Sequence, residues 1–477
     1  MTLSSHVETH KPSATTSRFT SDDEILAAVS RVRETFDSGI TRPLDWRERE
    51  LRQLQRMVED NEEEFLEALH KDLGKCRMEG VIAETGFIVN EIKLTLKNLR
   101  KWAKPERVKV PVAVMPGKAY IVREPLGPVL IISPWNYPFQ LLISPLTGAI
   151  AAGNTAVLKP SEVAPATSAA VAKLLPRYLD ASAYVVVEGG VAETTTLLAQ
   201  RFEHIFYTGN GAVARVVMTA AARHLTPVTL ELGGKSPCIV DEHADLDITA
   251  KRIMWGKFFN TGQTCVAPDY LLVHESIHDA LLDKFERTLQ HFYGADPQAS
   301  ADYGRIVNER HFDRLLPLLD SGTLVAGGKS ERASRYIAPT ILRDVSPDSP
   351  VMEDEIFGPI LPVLRVSNVD EAIRFVNARA KPLALYVFTN DKDTAERVLS
   401  RTSSGGACVN DVVAHLGVPE LPFGGVGPSG MGAYHGWHSF DTFSHKKSVL
   451  DKSIHLDAPL RYPPYGDNKL KWIKRLL

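Results

Sequence analysis

Two hydrophobic rhythms divide this chain. The first is helical: Ile25, Leu26, Val29, Val32 and Phe36 recur at spacings of three and four residues, behind a Ser21 and Glu24 pair spaced as in a capping box. In such a box the hydroxyl and the carboxylate each accept from an otherwise unpaired N–H of the first turn, so a helix is predicted to begin near Asp22. The same rhythm runs from about Trp46 to Leu73, with Gly74 as its stop, and from about Met78 to Ala103, closed by Pro105.

From Pro128 the rhythm changes to short apolar runs bounded by Gly, Pro and Asn: Val129 to Ile132, Thr155 to Leu158, Tyr184 to Val187, His204 to Tyr207 and Val228 to Leu230. Amphipathic stretches of helix length separate them. Continuously apolar runs belong in strands buried on both faces. Helical crossovers between such strands give a parallel, doubly wound sheet, an α/β architecture suited to a nucleotide. A second α/β series follows from Ser236, with strand-like Tyr270 to His274, Leu324 to Ala326, Ile360 to Val366 and Ala384 to Phe388. The apolar and basic segment from about Val108 to Val122 interrupts the first series and is expected to project as a strand pair meeting Thr442 to Leu450. The organisation expected is a dinucleotide-binding unit at 21–106 and 126–232, a second α/β domain at 233–430 and a small β element at 107–125 with 431–455. Tails are expected at 1–20, where the chain is polar and flexible, and at 456–477.

Composition narrows the partners. Fifty-five Lys and Arg against 58 Asp and Glu leave a formal charge of −3, so no basic field favours nucleic acid. None of the four cysteines, Cys76, Cys238, Cys265 and Cys408, lies in a Cys-x-x-Cys pair or near a His at ligand spacing, so neither a disulfide framework nor a structural metal is expected. The first 20 residues lack the apolar core of a secretory signal, and no run approaches the roughly 20 apolar residues of a membrane span. A cytoplasmic protein acting on small molecules is expected. The C-terminal segment Leu470 to Leu477 mixes apolar and basic residues, which leaves peripheral membrane contact open beside a surface-docked tail.

Chemistry concentrates in loops. Cys265 ends the polar run Asn260-Thr261-Gly262-Gln263-Thr264-Cys265 behind an apolar helix-like stretch, the setting of a nucleophile whose pKa is lowered by local dipoles, whereas Cys238 and Cys408 read as core. Glu231 ends an apolar strand just before Gly233 and Gly234; at that edge a carboxylate in a partly apolar cleft would deprotonate water, the alternative being a solvated strand end. The stretch Thr208, Gly209, Asn210, Gly211, Ala212, Val213 and Ala214 joins a strand to a helix in a Gly-x-Gly-x-x-Ala pattern. The acid about 20 residues beyond such a loop binds ribose in the usual fingerprint, which would give Glu231 to a cofactor instead; spacing leaves both roles open. Lys159-Pro160-Ser161-Glu162 offers a second ribose site or a plain helix cap. Asn136, between Trp135 and Tyr137 in a Pro-flanked run, is an oxyanion donor or a turn residue.

Taken together these runs resemble the aldehyde dehydrogenase superfamily. Pro134-Trp-Asn-Tyr-Pro138, Lys159-Pro-Ser-Glu162, Glu231-Leu-Gly-Gly-Lys235, Gly262-Gln-Thr-Cys265, Glu355-Ile-Phe-Gly-Pro359 and Pro422-Phe-Gly-Gly425 stand in that family's order, over residues 20 to 455. The stretches Leu225 to Glu231, Gly430 to Gly436 and Ser439 to Ser444 are similar to the class 3 and fatty aldehyde branch, which implies a homodimer, aliphatic or aromatic aldehydes, an NAD(P)-binding domain, a catalytic domain and a β oligomerisation element. The resemblance implies that Cys265 is the nucleophile, Glu231 the general base, and Asn136 with the Cys265 N–H the oxyanion site. It implies cofactor contacts from Lys159, Glu162, the 208–214 loop, Leu232, Glu355 and Phe357. By the residues alone Glu355 reads equally as a solvated acid and Phe357 as a core aromatic. Glu162 should repel a 2′-phosphate and favour NAD, although class 3 relatives accept NADP too. Tyr137, Phe423 and His435 are candidates for the substrate mouth or for packing. Asn210 stands where many relatives have Ser. Membrane-bound members carry a hydrophobic C-terminal helix that this tail does not match, so direct anchoring is not expected. Two rival readings remain: an acylating enzyme passing the thioester to coenzyme A, and a non-catalytic structural relative.

Overall fold

A computed structural model describes residues 19–455, 457 and 459–476. Residues 1–18 of the expected N-terminal tail lie outside it. Thr20 is already fixed: its N–H donates to the Glu188 carbonyl at 2.9 Å, and its hydroxyl accepts from the Glu188 N–H at 3.1 Å.

The capping box forms as the pattern predicts, opening the helix Asp22–Asp37. Ile25, Val29 and Val32 are buried, while Leu26 falls on the outer side and is exposed. The helical rhythm from Trp46 to Leu73 is split into Leu44–Asp60 and Glu62–Leu73, because Asn61 leaves helical geometry and its side chain caps the Met57 carbonyl at 2.8 Å. The next stretch, from Arg77 to Trp102, contains a π-helical turn at Val81–Thr85.

The first sheet has six strands in the order Gly430–Met431, Val228–Glu231, His204–Thr208, Pro128–Ile132, Thr155–Lys159 and Tyr184–Val186. The five predicted strands are parallel, and those running 128–132, 155–159 and 204–208 are buried along their whole length. The sixth, Gly430–Met431, pairs antiparallel with Val228–Glu231 and sets Gly430 against Glu231; two residues are too few to leave a periodic signal. Helix Gln140–Ala152, buried throughout, packs so closely on Gly436–Thr442 that a Cβ on Gly148 would lie 2.7 Å from the Ser439 Cβ.

A seven-stranded sheet follows, ordered Thr323–Ala326, Thr340–Arg343, Ile360–Val366, Tyr270–His274, Pro237–Val240, Ala384–Phe388 and Gly406–Val409. All neighbours are parallel except the first pair. The strands Thr340–Arg343 and Gly406–Val409 lie outside those expected from the hydrophobic pattern. A separate three-stranded antiparallel sheet joins Glu106–Val108, Gly117–Pro125 and Ser444–Lys452, with Ser444 opposite Pro125 and Lys452 opposite Gly117.

Candidate active site

The C-terminal ends of the parallel strands deliver most of the chemistry, as expected of open α/β sheets. Lys159, Thr208 and Glu231 each end a strand, and Asn136 follows Ile132 by four residues.

Cys265 is placed by a constrained turn. Asn260, Thr261 and Gly262 all have positive φ, 50°, 57° and 72°. A Cβ on Gly262 would meet the Gly358 carbonyl oxygen at 2.3 Å, so only glycine fits. Cys265 keeps partial solvent access. Burial pushes its thiol up, and the Glu355 and Glu231 carboxylates add repulsion, while the backbone N–H groups of Cys265 and Val266 favour the anion. Burial thus works against the lowered pKa expected of the loop, and the two backbone N–H groups work for it.

Glu231 is 2% exposed and neither carboxylate oxygen has a hydrogen-bond partner. Burial alone raises it well above the ordinary carboxylate range. A proton acceptor kept unpaired beside a thiol is costly in folding terms, so the position is explained by chemistry better than by stability.

Asn136 is buried, and its side-chain amide donates to the Gln263 carbonyl at 3.1 Å, two residues from the thiol; a second amide hydrogen remains for another acceptor. The Tyr137 hydroxyl shares a 2.6 Å hydrogen bond with Thr264.

The residues expected to contact a dinucleotide are placed as follows. Lys159 is buried and its ammonium bridges the Pro160 carbonyl and Glu162, both at 2.9 Å, while Glu162 is 40% exposed. Asn210 caps helix Gly211–Ala222 by accepting from the Val213 N–H, which consumes one of the terminal amides the loop was expected to offer. Thr208 leaves a buried hydroxyl unpartnered, and Gly209 has its N–H on the Glu231 carbonyl. Ala212 and Val213 are exposed, Gly211 is partly so and Ala214 is buried. Between Val191–Leu198 and Gly211–Ala222 lies a groove of about 360 Å³ lined by Thr195, Leu198, Ala199, Arg215, Val216, Thr219, Ala220 and Arg223. None of the residues expected to contact the cofactor lines that groove; the orphan Thr208 hydroxyl and the helix N-terminus after Asn210 are the features here that suit a phosphate. Leu232 is buried, with its N–H on the Ser429 carbonyl.

Glu355 and Phe357 sit on a loop anchored by residues to which the sequence reading gave no role. Lys235 binds Asp269 at 2.5 Å and the carbonyls of Val351 and Asp354, and Asp269 accepts from the Ile356 N–H at 3.0 Å. The Glu355 carboxylate packs on Gly233, where a Cβ would lie 2.1 Å from Oε2. Burial and then Asp269 raise it to about 8. Phe357, at φ 48°, stands edge-on to Trp135 at 5.3 Å.

Tyr137, Phe423 and His435, candidates for the substrate mouth or for packing, are 8%, 8% and 3% exposed. Phe423 stacks on His435 at 5.2 Å, with Phe87 and Tyr434 against the same imidazole; Tyr137 clusters with Leu141, Phe259 and Ala83. Tyr434 is buried within electrostatic reach of Glu231, Glu91 and Cys265, whose charges add to burial in raising its phenol. Spacing could not have found it, since it reaches the site from the last sixth of the chain.

Comparison with known proteins agrees with the motif order. A family model described as the aldehyde dehydrogenase family matches residues 3–449. Aldehyde dehydrogenase family 3 member A2 from Macaca fascicularis is 52% identical over 451 residues, 94% of this chain and 93% of its own. The dimeric NADP-preferring aldehyde dehydrogenase of Rattus norvegicus is 52% identical over 92% of this chain and 98% of its own. The substrate-bound structure of Staphylococcus aureus AldH superposes with a TM-score of 0.93 at 47% identity, covering 94% of this chain and 99% of that one.

Proposed function

This chain belongs to the aldehyde dehydrogenase family and is an NAD(P)-dependent oxidoreductase of aldehydes, and from that premise we propose that Cys265, Asn136 and Glu231 carry the reaction. The observation that supports this most strongly is the buried Glu231 carboxylate, unpartnered among the described residues and within electrostatic reach of the Cys265 thiol.

In this reading the Cys265 sulfur, once ionised, adds to the aldehyde carbon. The remaining Asn136 amide hydrogen and the Cys265 N–H stabilise the oxygen as it becomes negative, a contact worth about 3 to 4 kcal/mol per donor. Lys159, Glu162, the 208–214 loop, Leu232, Glu355 and Phe357 would hold NAD(P)+, which when bound would supply the acceptor for the hydride that the tetrahedral adduct loses in becoming an acyl thioester. Glu231 takes a proton from water as that water attacks the acyl thioester on Cys265, and its burial away from other partners makes its carboxylate a stronger base than a solvated one. The acid leaves and the thiol returns.

The apolar cluster of Tyr137, Leu141 and Phe259 beside Asn136, with Tyr137 hydrogen-bonded to Thr264 next to the thiol, supports aliphatic chains and aromatic rings over polar aldehydes. Cofactor choice turns on Glu162: its charge disfavours a 2′-phosphate, while its ion pair with Lys159 softens that repulsion.

The long exposed strand Ser444–Lys452 and its partners Gly117–Pro125 and Glu106–Val108 form a sheet with edges available for pairing, which supports a homodimer. Among the described residues no helix is long and apolar enough to cross a membrane. The helix Asp467–Leu476 exposes Leu470 and Trp472 beside Lys471, Lys474 and Arg475, which favours peripheral contact of a cytoplasmic protein with anionic lipid.

The deciding experiment gives Cys265→Ala and Glu231→Gln variants aldehyde and NAD+ without coenzyme A. The first should form no reduced cofactor. The second should keep a first-turnover burst and then turn over slowly, by about 100-fold or more. Normal activity in Cys265→Ala removes the assignment, and turnover that requires added coenzyme A favours the acylating reading.

A further inference from the structure

Lys75 and Glu84 form an ion pair at 2.5 Å with both side chains fully buried, and neither takes part in the chemistry above. Removing two charges from water is so unfavourable that an apolar pair of equal volume often folds better, so the remaining contacts of the pair indicate what it does.

Those contacts converge on the loop that carries Asn136. The Lys75 ammonium donates to the Asn136 carbonyl at 3.3 Å and lies 4.2 Å from the centre of the Tyr137 ring. The second Glu84 oxygen accepts from the Phe139 and Gln140 N–H groups at 3.2 and 2.8 Å, where the loop turns into the buried helix Gln140–Ala152. Glu84 sits in the π-helical turn Val81–Thr85, a local irregularity that recurs at functional sites. From the other side Asn260 donates to the same Asn136 carbonyl at 2.9 Å and to the Gln263 carbonyl at 3.1 Å. The Asn136 peptide is thus gripped by two donors, its side-chain amide rests on Gln263, and the next residue, Tyr137, reaches Thr264 beside the thiol.

We propose that Lys75 and Glu84 are a positioning pair that fixes the Asn136 peptide and the Tyr137 ring, so that the Asn136 amide is aimed at the oxygen of the Cys265-bound substrate. This rests on the reading of Asn136 as oxyanion donor. Hydrocarbon could fill the space but could not donate to a carbonyl and accept two amides at once. That explains why charge is kept here.

The test uses Lys75→Met and the charge-free double variant Lys75→Met with Glu84→Gln, whose Gln side-chain oxygen still accepts from the loop. Both are made in the full chain, with and without Asn136→Ala, and read by pre-steady-state formation of reduced cofactor, KM for NAD+ and thermal melting. A pair acting through Asn136 slows cofactor reduction by about 10- to 100-fold, the scale of a small misplacement, and leaves KM for NAD+ unchanged. It adds no further loss once Asn136 is Ala. A loss that multiplies in the Asn136→Ala background, a wild-type rate in the double variant, or a double variant without a cooperative melt overturns the proposal. Should Asn136→Ala alone keep the wild-type rate, the oxyanion reading fails first and takes this proposal with it.

Discussion

Gly233→Ala isolates what the Glu355 carboxylate does. The new methyl would stand 2.1 Å from Oε2, 2.7 Å from Cδ and 2.8 Å from Oε1, and ordinary contact begins at 3.4 Å, so the carboxylate must retreat by about 1 Å, a misplacement that costs about 100-fold where geometry matters. The fold should hardly notice. Gly233 does not have positive φ, and the obstructing atoms end a flexible side chain, so a rotamer change of about 1 kcal/mol absorbs the clash. Stopped-flow absorbance of reduced cofactor should therefore give kcat/KM for NAD+ about 100-fold down. The melting temperature should fall by no more than about 2 to 4 °C. A second readout follows from repulsion: Glu355 is the larger of the two charges that raise the Cys265 thiol, so above about pH 8, where Glu355 is ionised, iodoacetamide should alkylate the variant faster than the wild type. Wild-type kcat/KM together with an unchanged alkylation rate would refute the placement of Glu355 in the cofactor path.

Two further outcomes are expected. Glu91 is buried with both oxygens unpartnered, Ser144 and the Gly436 N–H facing it without closing a hydrogen bond, and burial raises it from 4.5 to about 7. The folded state then binds the extra proton, so stability is greatest below 4.5 and declines as pH rises through about 7; Glu91→Gln should melt higher than wild type by a margin that grows across that window, approaching about 3 kcal/mol. A flat difference across pH would contradict the burial argument. Gly262→Ala meets rigid backbone instead of a flexible tip, the Gly358 carbonyl at 2.3 Å with φ at 72°, and should lose about 1 to 3 kcal/mol in denaturant melts along with Cys265 reactivity; unchanged values would show that the turn can relax.

Short-range regularities were legible without coordinates. The capping box at Ser21, the five parallel strands of the first sheet and the chemistry-bearing loops are written in neighbouring residues, because strand and helix periods and turn preferences act over a few positions. Where neighbours mislead, one side chain decides: Asn61 ends a helix that the hydrophobic pattern would continue, and the two-residue strand at Gly430 is invisible alone.

The amino-acid order by itself determined the elements, the motif series and the residues able to do chemistry. Only the tertiary structure decided which of them meet. Spacing left Glu231 between ribose and water, whereas in the folded chain its carboxylate is buried, unpartnered among the described residues, and within electrostatic reach of Cys265. The fold also seals Tyr137 and His435 inside. Lys75 reaches Asn136 across 61 positions and Asn136 reaches Gln263 across 127. Such contacts form only after separate sheets have packed, and burial, which sets the charge state of every acid in the site, is a property of that packing.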